Sequence, residues 1–361
     1  MGIHVLRNLS GGNMSEQVPL FLAPMAGVTD VAYRLLARES GADFTSTEFT
    51  AASGLSRKDA KSWAKVETHP RESPFIPQIF GGIEDEMVET AQLLSKDADV
   101  IDLNFGCPAP KVTKTCAGAA MMGEPENLVR MVERCLENSE VPVSVKMRLG
   151  INQETLTVLE IAERCAELGV LRVCVHGRTL SQKYRGIADW DMIAKVVEVC
   201  EPHNTPVIAN GDIVDADSAA KCLEVTGAQG LMIGRGAIGD PCIFGRIKSE
   251  LGWEDFEAPW GDSNQAGQKH WAWNRYVELV DEIGGPYAAR NMKQHAISFT
   301  KGLPGGRELR PHLHAIKDFR LIGEPLNIAL EAFSQRRHNT LMVQEAIEAA
   351  ATASEAGGWR R

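Results

Sequence analysis

The chain has 361 residues, of which 44% are hydrophobic and 24% charged, and it carries a net charge of −10. That length buries a sizeable core and accommodates one large domain plus a smaller one, while no apolar run reaches the ~18 residues that a membrane span requires. The eight cysteines (107, 116, 135, 165, 174, 200, 222 and 242) form no C-x-x-C pair, which argues against a zinc site or a disulfide framework and fits reduced thiols in the cytoplasm.

Residues 1–18 have neither the apolar stretch nor the cleavage site of a signal peptide. They are expected to be a disordered extension, with Met14 a second candidate start. From residue 19 to about 245, short apolar runs alternate with segments of helical spacing. The runs are Leu20–Ala23, Phe44–Thr47, Phe75–Phe80, Val100–Asn104, Val143–Met147, Val173–His176, Val207–Asn210 and Leu231–Gly234. Eight such β/α units predict an α/β fold, a (β/α)8 TIM barrel. A doubly wound sheet fits less well, because no G-x-G-x-x-G follows the first strand. Residues 246–270, rich in acids, Trp and Gly, read as a linker. A smaller all-helical domain is expected over 271–351, broken at Gly284-Gly285-Pro286 and Gly302–Gly306, with a frayed tail over 352–361.

Residues just past the strands of a (β/α)8 barrel form the active-site rim. Here they are Pro24-Met25-Ala26-Gly27, Gln78, Asn104 to Pro108, Lys146, His176-Gly177-Arg178, Asn210-Gly211-Asp212 and Gly234-Arg235-Gly236. The last two clusters follow strands seven and eight, where glycine-rich loops commonly cradle phosphate through backbone N–H groups. Arg235 adds charge there. Lys146 and His176 end strands five and six, where a cation can stabilise a reduced flavin; alternation only weakly disfavours an outward-facing Lys146. Gln78 could hydrogen-bond the amide edge of the same ring. Cys107, alone, is open to three readings: nucleophile, general acid or inert core thiol. Between Pro286 and Asn339 nine Lys/Arg stand against four acids, a local balance of +5. That is either an RNA footprint or a solvated helical face.

The stretches Leu22 to Asp30, Asp102 to Pro108, Val145 to Arg148, Val175 to Thr179, Tyr184 to Trp190, Ile208 to Ile213 and Gly234 to Ala237 resemble, in order, the tRNA-dihydrouridine synthase family. Lys301-Gly302-Leu303-Pro304-Gly305 resembles that family's helical tRNA-binding domain. The resemblance implies an FMN-dependent oxidoreductase that acts on tRNA and uses NADPH or NADH, with no metal and no membrane. Pro24, Met25 and Ala26 would line the flavin, with Gln78, Lys146 and His176 as polar contacts. Asn210, Gly211, Asp212, Gly234 and Arg235 would hold the ribityl chain and phosphate. Cys107 would be the general acid, Asn104, Arg178 and Tyr184 would border the flipped uracil, and Arg290, Lys293 and Lys301 would contact the RNA. Cys116 departs from the family pattern, which has a small residue such as glycine at that position. The acidic, Trp-containing linker is a second departure. Two other readings remain: an FMN barrel reducing a small pyrimidine, in the manner of a dihydroorotate dehydrogenase, and a tRNA-binding protein without catalysis.

Overall fold

The computed structural model describes residues 17–253, 256–284, 289–303, 305–318, 321–334 and 340–356. The expected N-terminal extension (through residue 16), the break at Gly285-Pro286, the basic residues Arg320, Arg336 and Arg337, and the last five residues lie outside them.

Strands β1 (Leu20–Leu22), β2 (Phe44–Thr45), β3 (Thr50–Ala51), β4 (Gln78–Phe80), β5 (Ile101–Phe105) and β6 (Val143–Arg148) come first in chain order. A two-stranded hairpin, β7 (Gly150–Asn152) and β8 (Thr155–Leu156), follows, and then β9 (Val173–His176), β10 (Val207–Asn210) and β11 (Gly230–Ile233). Nine of them form one parallel sheet in the order β2-β1-β11-β10-β9-β6-β5-β4-β3. Its two ends belong to a single segment. Phe44–Thr45 pairs with β1, and a few residues on, Thr50–Ala51 pairs with β4. Between them Thr47 N–H donates to the Ile76 carbonyl (3.1 Å). The sheet therefore closes on itself into the expected barrel. Strand β4 is shorter than the apolar run Phe75–Phe80, because Pro77 has no N–H to contribute to the ladder.

Alternation along the strands sorts the side chains. Phe21, Phe44, Ile76, Val100, Cys174, Ile208 and Met232 pack together inside the barrel, while Leu20, Leu22, Val173, Val175, Leu231 and Ile233 face the surrounding helices. Register places Asn104, Lys146, Cys174 and Ile208 in one row across the sheet. Lys146 therefore points inward with Cys174, which decides between the two orientations the sequence left open. Arg148, His176, Asn210 and Met232 form the next row. Below the mouth the barrel interior holds this apolar cluster beside a buried polar one of Gln78, Asp102, Ser144 and Arg172, and towards its C-terminal mouth it is strongly polar.

Beyond the barrel, Ile243–Glu250 is helical, and Trp253 and Trp260 of the expected linker are buried. The linker is therefore a packed connection. Helices follow at Gln265–Ile283, Met292–Phe299, Gly306–Ala315, Gly323–Ser334 and Thr340–Ala356, the last extending into residues expected to fray. Asp30 caps the helix Val31–Glu39 through the Tyr33 N–H (2.9 Å) and also accepts from Tyr276 Oη (3.2 Å). His295 Nε2 lies 3.2 Å from the same carboxylate. Tyr33 stacks on His295 with ring centroids 4.5 Å apart. Aromatic packing around one buried carboxylate thus fastens the helical region to the side of the barrel.

Candidate active site

A cavity of about 840 Å³ opens at the C-terminal mouth of the barrel, within the range that holds small-molecule ligands and cofactors. Pro24, Met25, Ala26, Asn104, Cys107, Lys146, His176, Tyr184, Asn210, Asp212, Gly234 and Arg235 all line it, as the rim reading expects.

Of the residues expected at the site, Gln78, Arg178 and Gly211 do not line the cavity, and the first two make their hydrogen bonds elsewhere. Gln78 is fully buried and does not line the cavity; its amide donates to Asp102 (2.6 Å) and accepts from Asn104 (2.6 Å). Arg178 is also buried and donates to Asp212 (2.6 and 2.8 Å), to the Gly186 carbonyl (2.7 Å) and to the Arg185 carbonyl (3.1 Å). It braces the Asp212 loop from behind. Conversely, Arg148, Lys183 and Gln294 line the cavity without having been expected there. Arg148 lies two residues past Lys146 on the same inward face, so alternation could have found it. Gln294 comes from the helical region and had no such signal.

The loops after β10 and β11 are shaped by backbone geometry. Gly211 (φ +123°) and Asp212 (φ +58°) are consecutive left-handed residues that turn the chain sharply back over the mouth. A Cβ at Gly236 would lie 2.7 Å from the Ile213 carbonyl oxygen, so glycine lets the two loops touch. The short 3₁₀ helix Arg235–Ala237 begins at this contact, and the first N–H groups of a helix have no partner within it. Arg235 pairs with Asp212 at 3.0 Å.

Charge at the mouth is mostly positive. Lys146, Arg148, Lys183 and Arg235 face the cavity with a single carboxylate, Asp212, which two arginines already neutralise. Lys146 Nζ donates to Asn210 Oδ1 (3.0 Å), and Asn210 is held in turn by the Met232 carbonyl (2.7 Å). Burial holds the Lys146 ammonium below its usual value, and Arg148 adds to that. Burial also pushes Arg148 down to about 10. His176 is driven well below the ordinary imidazole value by burial and by Lys146, Arg148, Arg178 and Arg235, so it is neutral at physiological pH. An anionic ligand would relieve all of these groups.

Cys107 sits on the same wall, 6% exposed. Its loop is held by the Asn104 side chain, whose Oδ1 accepts from Cys107 N–H (2.9 Å) and Gly106 N–H (3.0 Å). Burial pushes the thiol up, against the opposing pull of a hydrogen bond from the Ala109 backbone and of Arg148, Lys111 and Lys146. The group is therefore a protonated thiol near neutral pH, able to donate. Cys116 is exposed and has φ +50°. That left-handed conformation explains why glycine suits this position, and why a Cβ there is strained.

The wall opposite the phosphate-like corner is tied to the helical region. Glu48, 3% exposed, accepts from Gly27 N–H (2.8 Å) and from Arg290 (2.6 Å). Arg290 also donates to the Ala64 carbonyl (2.6 Å), so its charge serves this junction rather than an open surface. Lys293 donates to the His314 carbonyl (3.0 Å), whereas the Lys301, Arg307 and Lys317 side chains are exposed. Among the described residues no cluster of His, Cys, Asp and Glu could hold a metal ion, and no helix is long and apolar enough to cross a membrane.

Residues 21–336 match the model of the dihydrouridine synthase family. A probable tRNA-dihydrouridine synthase of Rickettsia prowazekii is 33% identical over 311 residues, covering 85% of this chain and 93% of its own length. One of Rhizobium leguminosarum is 39% identical over 283 residues (78% of this chain, 85% of its own). One of Rhodobacter capsulatus is 39% identical over 235 residues (64% and 72%). The match over residues 21–336, with relatives of 33–39% identity along most of the chain, places this chain in the dihydrouridine synthase family.

Proposed function

We propose that this chain reduces the 5,6 double bond of uridines in tRNA, with FMN as resident cofactor, NADPH or NADH as reductant, and Cys107 as proton donor, in the cytoplasm. The observation that carries this reading is the meeting of Cys107 with the cations Lys146, Arg148 and Arg235 and the loops 210–214 and 234–236 in one cavity.

The residues fit FMN chemically. The Gly234–Gly236 loop and Arg235 would hold its phosphate through N–H groups and charge, Lys146 would supply a cation to the reduced ring, and Met25 and Ala26 would give the ring apolar contact. Bound and reduced, FMN supplies hydride to C6 of the uracil. The electron pair of the 5,6 bond then develops as an enolate towards the C4 carbonyl, and C5 needs a proton. The Cys107 thiol supplies it, and the cations at the mouth favour the thiolate left behind. A uridine must leave its stack to enter, at a cost of a few kcal/mol, which contacts between the basic helical surface and the RNA would offset.

The purified chain is expected to be yellow and to carry one FMN. Arg235→Ala should weaken retention roughly tenfold or more, as a charge-assisted phosphate contact contributes on the order of 1.5–3 kcal/mol. A chain that takes up no FMN when supplied, or forms no dihydrouridine in uridine-bearing tRNA, overturns the proposal.

Reversing the charge of Lys301, Arg307 and Lys317 together should weaken tRNA binding and flatten its dependence on salt, by about one unit of log–log slope for each phosphate that is no longer neutralised. Flavin reduction should be unchanged. Arg290 and Lys293, also expected to contact the RNA, are left unchanged because their side chains bind other parts of the protein. Parental affinity and salt slope in the triple variant would make the basic region a solvated face.

A further inference from the structure

We infer that Asp102 is the positioning residue that sets the direction of a buried hydrogen-bond relay ending on the Cys107 loop; the inference rests on the role of Cys107 proposed above. The relay runs up the inside of the barrel. Asp102, 2% exposed, accepts from Gln78 Nε2 (2.6 Å); Gln78 Oε1 accepts from Asn104 Nδ2 (2.6 Å); Asn104 Oδ1 accepts from the backbone N–H groups of Cys107 and Gly106 (2.9 and 3.0 Å).

Register makes the relay possible. Gln78 and Asp102 are opposite each other on β4 and β5, and Asp102 is opposite Ser144 on β6. Asn104 lies two residues further along β5 and points the same way. Ser144 donates its hydroxyl to Asp102 Oδ1, and an Arg172 nitrogen lies 3.9 Å from that oxygen.

Its direction has to be imposed, because each amide in it can be turned over. A side-chain amide presents a donor at one end and an acceptor at the other, so the pair Gln78 and Asn104 has two self-consistent orientations. Only one of them puts the Asn104 oxygen, rather than its NH₂, against the Cys107 and Gly106 N–H groups. Both Asp102 oxygens are acceptors, one of the Ser144 hydroxyl and the other of the Gln78 amide. Asp102 therefore forces the Gln78 NH₂ downward, which forces the Gln78 oxygen towards Asn104 and the Asn104 oxygen towards the loop. At this burial a wrong orientation leaves polar groups unpaired at high cost.

Asp102→Asn keeps shape and removes the instruction. The oxygen of the new amide would still serve Ser144 and Arg172, leaving its NH₂ towards Gln78. Gln78 and then Asn104 would turn over, setting a donor against two donors at the loop. Asp102→Asn combined with Gln78→Glu restores direction without restoring the original residue. The carboxylate introduced at position 78 would accept both from the amide introduced at position 102 and from Asn104, and the Asn104 oxygen would again meet the loop. Net charge is the same in the double variant as in the parent.

Two readouts test this. Iodoacetamide labelling, resolved peptide by peptide, gives the reactivity of Cys107 relative to the exposed Cys116, in protein with and without FMN. Single-turnover oxidation of the reduced enzyme by tRNA gives the chemical step. Asp102→Asn should change the Cys107 to Cys116 labelling ratio by about tenfold or more and slow the tRNA step comparably, since two backbone hydrogen bonds are replaced by unsatisfied donors. The double variant should return both to within about threefold of the parent. Should the single variant fail to fold, a folded double variant with parental Cys107 reactivity is the expected result. Parental labelling in Asp102→Asn, or a double variant no closer to the parent than the single, overturns the relay. If the parent enzyme forms no dihydrouridine, the functional proposal fails, yet the labelling ratios still decide the relay.

Discussion

Cys107→Ala should leave reduction of the enzyme by NADPH near its normal rate and slow its reoxidation by tRNA about 10²–10⁴-fold, the usual scale for losing a general acid. The separation follows from position. The thiol lines the cavity wall on the loop after β5, while the polar groups proposed above to hold the cofactor lie on β6, β9 and β10 and just past β11. Removing one sulfur leaves those strands and their hydrogen bonds intact. Cys107→Ser should recover little, because a hydroxyl is a far weaker acid. Cys116→Ala serves as the control: its side chain is exposed, and its loss should barely change either half-reaction. Stopped-flow measurement of both halves checks this. Normal reoxidation in Cys107→Ala, or the large defect in Cys116→Ala instead, would place the proton on another residue.

The second large effect concerns stability. Glu72→Ala should lower unfolding free energy by about 3–5 kcal/mol, the scale for removing one member of a buried ion pair. Glu72 accepts from Arg34 (2.8 Å to Nη2), Thr45 (3.1 Å) and Thr68 (2.9 Å), and the Arg34 and Glu72 side chains are 0% and 1% exposed. Arg34 also donates to the Thr29 and Glu67 carbonyls at 2.8 and 2.7 Å. Without Glu72, a guanidinium would remain buried beside two carbonyls and no counter-charge. Arg34→Leu with Glu72→Leu should cost less than half as much, because both charges leave together. Urea denaturation with an unchanged m-value gives the comparison. A loss under about 1 kcal/mol in Glu72→Ala would mean that water reaches this pair.

The barrel and most of its rim could be read from the chain because both depend on local rules. Apolar runs ending in polar or glycine-rich clusters mark strand ends, and strand ends in such a barrel meet at one mouth. The cavity residues named above follow from that rule, apart from Tyr184, which only the family resemblance pointed to. Partners across the barrel do not. Strand register sets Gln78 beside Asp102, and its amide bonds Asp102 at one end and Asn104 at the other, partners that no local pattern predicts. Arg178 follows a strand as expected, but the turn at Gly211-Asp212 brings a carboxylate within its reach. Gln294 reaches the mouth only because Glu48 and Asp30 fasten a distant helix to the barrel side. Strand β3 and the β7–β8 hairpin are too short to leave a period in the sequence. Inward direction is a local property; the identity of what lies opposite is a property of the closed sheet.

That closure has a cost in time. Leu20 on β1 pairs with Leu231 on β11, and the segment 44–51 completes the ring from both sides. A chain emerging from the ribosome therefore carries β1 with one side unpaired until nearly the whole barrel has been synthesised. Contacts so distant in sequence form slowly, and an unpaired parallel edge invites other chains to pair with it. Co-translational protection of residues 20–22 would then govern how much active protein a cell obtains at a given temperature, and crowding of nascent chains would lower yield before it affected the finished enzyme.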